Sequence, residues 1–240
     1  MNNSFNGLVI EDDRTFDQAM SLQNLQIAGN CYFMDIVEAD RLQIEGEGRF
    51  SSFVTCDRLW VSGRAYMMQT LLTETIQNTG NLTVLGRCIS DVAVFEGNSE
   101  FQGPFSTGRL LIKTSGTAVY SGKVKADRMT VAGQMLGTAK IRCREAEFIS
   151  CYTSEVHEIS ADFLRVAYQV PQGQLALDCA APILSVTFMD VSTAVLEYTH
   201  VQQLFCDKAV IGKGCRIKEV IYRDGIEIED GAIVERLSKA

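Results

Sequence analysis

The side chains able to do chemistry in this chain are eight cysteines, two histidines and a set of recurring aspartates. The cysteines are Cys31, Cys56, Cys88, Cys143, Cys151, Cys179, Cys206 and Cys215, and no two form a Cys-x-x-Cys pair. Structural zinc sites use such tight pairs, and a disulfide framework needs an oxidising compartment. Neither is indicated. His157 and His200 are the general-base candidates. Histidine plays that part in acyltransferases built on hexapeptide repeats, but only Val210-Ile-Gly-Lys-Gly-Cys215 imitates such a repeat. Asp40, Asp57, Asp127, Asp162 and Asp207 each follow a small residue. Stacked, they would form a carboxylate ladder of the kind some solenoid enzymes use, sometimes with calcium. The plainer reading is that aspartate makes a turn, with Arg41, Arg58 and Arg128 beside it to offset like charge. The expectation is therefore no catalytic, cofactor-binding or metal-ligating residue and no cofactor.

What positions these residues is a repeat. Leu25-Gln-Ile-Ala-Gly29 returns as Leu42-Gln-Ile-Glu-Gly46 and again as Leu59-Trp-Val-Ser-Gly63, each 17 residues on. A fixed short period with an alternating apolar pair and a closing glycine predicts a solenoid. Alternation at period two makes each unit a short strand with one buried face, and glycine is expected at the turn because it tolerates positive φ. Leu42 should lie on Leu59 and Ile44 on Val61, about 4.8 Å apart. Ala39, Cys56, Ala126, Cys143, Ala161 and Cys206 align at one position. A reduced thiol there is a small buried hydrophobe.

Further units fit with gaps. Leu82-Thr-Val-Leu-Gly86 lies 23 residues beyond Leu59, which predicts an extra half-turn around 66–80. Ala93, Leu110, Met129 and Ala146 open later units. From Gly116 to Cys143 nearly every second residue is apolar or small, a pattern no amphipathic helix produces. Three short strands per 17-residue coil suit a triangular section. Residues 1–240 read as one solenoid with a break in register at 167–199. The alternative is two tandem stacks, 1–166 and 200–240, with strands between.

Composition excludes several partners. A net charge of −8 and no basic run argue against nucleic acid, which needs a cationic stripe. The same acidity argues against attachment to an anionic membrane, and no apolar stretch approaches the roughly 20 residues of a spanning helix. Residues 1–13 lack the basic and apolar segments of a secretory signal. A cytoplasmic protein follows as the expectation, peripheral to the membrane at most.

The 17-residue L-x-V/I-x-G units, with joints such as Gly122-Lys-Val-Lys-Ala126, resemble the bactofilins, polymer-forming bacterial cytoskeletal proteins. The segments Ile211-Gly-Lys-Gly-Cys-Arg-Ile-Lys-Glu-Val-Ile-Tyr222 and Ile226-Glu-Ile-Glu-Asp-Gly-Ala-Ile-Val234 are similar to the ending of their Gram-positive relatives. The resemblance implies an all-β, right-handed parallel β-helix of triangular section. It also implies a non-enzymatic scaffold that self-associates without nucleotide and supports envelope, shape or motility structures. The partner would then be a second copy, with envelope or flagellar assembly proteins beside it, and no small-molecule substrate. Two rivals stand: a monomeric solenoid adaptor for a protein partner, and a hexapeptide-type acyltransferase.

Overall fold

The computed structural model describes residues 7–150, 152–169 and 181–240, so Cys151, Pro171 and Cys179 lie outside it. The described residues form β-strands joined by turns, and the strands pair in parallel. The chain divides into two compact units, Met1–Arg109 with Ser115–Gly122, and Leu110–Thr114 with Lys123–Ala240.

In the first unit, from Met20 to Phe101, each coil contributes an eight-residue and a four-residue strand. Val37–Ile44 with Glu47–Phe50, Val54–Val61 with Arg64–Met67, and Leu71–Asn78 with Asn81–Val84 repeat the arrangement. The spacing predicts three separate short strands; the structure fuses two of them. Within the eight-residue strands, Asp40-Arg41 and Asp57-Arg58 are paired exposed residues that interrupt the alternation. Each coil still turns three pairs inward, for example Val37 with Ala39, Leu42 with Ile44, and Gly48 with Phe50.

Equal steps of 17 stack like on like. Leu8, Leu25, Leu42, Leu59, Ile76 and Ala93 are successive register partners, as are Ile10, Ile27, Ile44, Val61, Asn78 and Phe95. Parallel pairing suits residues buried between neighbours above and below. Each fully buried aliphatic side chain contributes about 1.5–3 kcal/mol. On a third wall the rings of Phe16, Phe33 and Phe50 stack at 4.9 and 4.7 Å with interplanar angles of 8° and 4°.

Two sequence expectations need correction here. No half-turn is inserted around 66–80: Ile76 follows Leu59 at 17 residues, and Leu82 belongs to the short strand, paired with Ala65. The corner glycines are also needed for a different reason. Positive φ occurs among the described glycines only at Gly137, Gly214 and Gly231. At Gly46, Gly63, Gly80 and Gly97 a Cβ would lie 2.1–2.2 Å from a glycine carbonyl oxygen one coil earlier. Close approach of stacked backbones, not turn handedness, excludes a side chain.

Asn78 takes the place of an aliphatic residue and is fully buried. Its Nδ2 donates to the Asn98 carbonyl (2.7 Å) and to Ser99 Oγ (2.8 Å), and its Oδ1 accepts from the Gly80 N–H (3.0 Å). A buried amide so satisfied pins one register, since a slip would leave it unpaired.

The second unit uses longer strands, including Lys140–Ser150, Ser154–Tyr168, Leu184–Leu196, Thr199–Ile211 and Arg216–Ile228. Met129, Ala146, Leu164, Ala194, Ala209 and Ile226 are successive partners. The steps between them are uneven, and the long one from Leu164 to Ala194 contains 170–180. The strand Leu184–Leu196 lies inside the span where the glycine punctuation fades, yet it pairs on both sides. At one corner Tyr198 has φ +44°, and its ring covers Gly214, where a Cβ would sit 2.5 Å away.

Candidate functional site

The outward residues of a parallel ladder also stack in columns, so each wall is a repeated row of side chains. The acids behave accordingly. In the first unit Asp40 and Asp57 share a column that continues through Glu74 and Asp91, all exposed. In the second unit the register places Asp127 beside Arg144, Arg144 beside Asp162, Asp162 beside Ser192, and Ser192 beside Asp207. Arg128 Nε meets Glu145 Oε2 at 3.1 Å, and Arg223 Nη1 meets Asp207 Oδ1 at 3.1 Å. Among the described residues no three His, Cys, Asp or Glu side chains are grouped to hold a metal ion.

The two histidines come together on one wall of the second unit. Glu155, Ser185, His200 and Arg216 are successive register partners. His157 lies one outward position along, in the column of Thr187 and Gln202. Glu155, His157, Ser185, Thr187, His200 and Gln202, with Gly137 and Thr138, line a shallow depression of about 310 Å³. Partial burial, and then the Arg216 charge, lower the His200 pKa. Among the described residues neither imidazole is hydrogen-bonded to a hydroxyl or carboxylate. The segment Val210–Cys215 that imitates a hexapeptide repeat is a strand end followed by a turn, with Cys215 N–H reaching the Gly212 carbonyl at 3.4 Å.

The described cysteines Cys31, Cys56, Cys88, Cys143, Cys206 and Cys215 are free thiols and buried. Ala39 pairs with Cys56, Ala126 with Cys143, and Cys143 with Ala161, so the small-residue column read from the repeat is real. Thr73, Ser90 and Thr107 continue it in the first unit, where Ser90 Oγ donates to Thr107 Oγ1 at 3.0 Å. Burial pushes Cys56, Cys206 and Cys215 up to about 11 and Cys143 to about 12. Thiols held protonated are poor nucleophiles and poor metal ligands.

The short-strand wall of the first unit carries mixed polar side chains in two shallow depressions. One, of about 380 Å³, includes Arg14, Asn30, Tyr32 and Arg49; the other, of about 420 Å³, includes Arg64, Tyr66, Asn81 and Asn98. Arg49 is held by Glu47 Oε1 at 2.6 Å and lies 5.4 Å from the centre of the Tyr66 ring. Trp60 is exposed beside Gln43 and Gln77 on another wall. Reasoning from the inward repeat passed over these outward rows; aligning the chain at 17-residue steps is the signal that reveals them.

The final coil differs from those before it. Ile233–Lys239 pairs with Arg216–Ile228, and among the described residues no strand covers its other side. Leu237 continues the column of fully buried Val220 but is itself 47% exposed, and Val234 follows Ile217. In the first unit, half-buried Leu8, Phe16 and Met20 are register partners of Leu25, Phe33 and Val37 in the same columns. Compared with protein-family models, curated proteins and solved structures, the chain has no significant match.

Proposed function

We propose that this chain is a non-enzymatic, bactofilin-like scaffold that associates with further copies of itself, coil on coil, without nucleotide. The observation that carries the proposal is an exposed apolar position on a buried column: Leu237 is 47% exposed, whereas its register partner Val220 is fully buried. Parallel strands with apolar columns are a template for another chain, and the half-buried Leu8, Phe16 and Met20 supply apolar positions it could meet. The winding is right-handed and the section triangular in this proposal, and its setting is the cytoplasm, beside envelope or motility structures.

Negative-stain microscopy of the purified chain with no nucleotide tests it. Elongated assemblies that shorten with Leu237→Lys are expected. Discrete short particles at every concentration would overturn the proposal and favour a monomeric adaptor. The acyltransferase reading draws on the shared depression of His157 and His200. Saturable acyl-CoA binding lost in His157→Ala with His200→Ala would favour it; no binding is expected.

A further inference from the structure

Exposed apolar side chains in the first unit are concentrated at one corner. Of fourteen exposed large hydrophobic side chains among the described residues, seven stand on three adjacent outward columns. Met34, Met68 and Leu85 follow the short strand in their coils, with Ser51 in the same column. Ile36 and Phe53 form the next column, and Leu72 and Ile89, which are register partners, the third. Their side chains lie outside the core, so hydrophobic burial within the coil does not account for them.

The charges around this ridge are polarised along the stack. Asp35 and Glu38 lie in the coil of Met34, and Arg87 lies three coils on, in the coil of Leu85. In the two coils between them the corner residues are Ser51, Ser52, Thr55, Gln69 and Thr70, all uncharged. A two-fold axis between the Phe53 and Met68 coils would set Arg87 of each copy against Asp35 and Glu38 of the other. It would also place Phe53 on Met68 and Leu72 of the second copy. An isologous contact needs this self-complementarity. The exposed surface of these seven residues is roughly 600 Å² per copy, or ~1,200 Å² for a pair when all of it is covered, the lower bound for a specific interface. We infer that this ridge is a lateral interface, on which a second copy of the chain docks antiparallel. It is separate from the end-to-end contact proposed above and would pair chains side by side.

The test is molar mass by light scattering on the full chain, in wild type and in Leu237→Lys, which removes end stacking from the reading. Twice the 26.5 kDa chain mass is expected in Leu237→Lys at micromolar concentration. Adding Phe53→Glu should raise the dissociation constant at least about tenfold, because a desolvated charge replaces the central contact. Arg87→Glu and Glu38→Arg should each weaken pairing, and the two together should restore it. A monomer in Leu237→Lys at all concentrations, or a charge swap that fails to recover pairing, overturns the inference. So does a monomer that binds phosphatidylglycerol vesicles through Phe53. Far-ultraviolet circular dichroism spectra of the ridge variants should match wild type, since every substituted side chain is exposed.

Discussion

Replacing Gly63 by alanine is the sharpest test of how the coils are stacked. A Cβ there would lie 2.1 Å from the Gly46 carbonyl oxygen and 2.2 Å from that of Glu45, both backbone atoms. No side-chain rotation relieves either overlap, so the two coils must separate locally by about 1 Å, which is overpacking of a close-packed region. The bonds that resist are Arg64 N–H to the Gly46 carbonyl (2.8 Å) and Gly63 N–H to the Ile44 carbonyl (3.0 Å). Weakening both, at about 1 kcal/mol each, on top of about 1–3 kcal/mol of overpacking, predicts a loss of about 3–5 kcal/mol. Gly225→Ala is the control, because a Cβ there meets nothing within 4 Å. Urea denaturation followed by circular dichroism should show a much lower midpoint for Gly63→Ala and a change within about 0.5 kcal/mol for Gly225→Ala. Equal midpoints would refute the claim that corner glycines exist to let coils approach.

Four further outcomes follow from the packing. Leu59→Asp or Val131→Asp puts an unpaired charge into a buried column, at a cost of several kcal/mol, so neither variant should yield soluble folded protein by a thermal melt. Asn78→Ala removes the amide from the Asn98 carbonyl and the Ser99 hydroxyl, leaves the Gly80 N–H only its 3.2 Å bond to the Val61 carbonyl, and should cost about 2–4 kcal/mol in the same urea assay. Tyr120 carries a fully buried hydroxyl with no hydrogen-bond partner among the described residues, so Tyr120→Phe should raise stability by about 1 kcal/mol while keeping the 5.2 Å stack on Phe101. The buried thiols set a pH dependence. Cys56, Cys206 and Cys215 ionise near 11 when folded, against 9.0 ordinarily, so the unfolded chain loses these protons first. Their contribution is complete below pH 9 and is lost as pH rises through about 11. The urea midpoint should therefore fall over that window, and a Cys56→Ala, Cys206→Ala, Cys215→Ala variant should show a flatter fall.

The inward columns were legible because burial on one face writes itself into the sequence at period two. Leu25, Leu42 and Leu59 announce both strand and pitch, and the register joins them as read. The repeat is hard to follow where polar residues enter the core. Leu71–Asn78 ends on a buried asparagine, so its resemblance to Leu59-Trp-Val-Ser-Gly63 is weak. The next matching run, Leu82 to Gly86, belongs to a short strand with the same alternation and the same closing glycine. Both strand types obey one pattern, and only pairing distinguishes them. The function of the glycines was misassigned for a related reason: φ is a local property, whereas the clash at Gly63 comes from residues 17 and 18 positions earlier. The outward rows, including His157 with Gln202 and Phe53 with Ile36, carry no buried period and emerge only once the coils are aligned.

From Leu8 to Phe101 the backbone advances by one strand spacing for every 17 residues. Distances between nitroxide side chains, introduced as encoded residues in pairs at Gln26 with Gln43, Trp60, Gln77 or Val94, measure that advance directly. These positions are successive register partners on one outward column. Backbone separations should rise in equal steps of about 4.8 Å, reaching ~19 Å for the pair 68 residues apart in sequence. Separations that scatter without regard to the number of coils, or that grow with the square root of chain length, would contradict it.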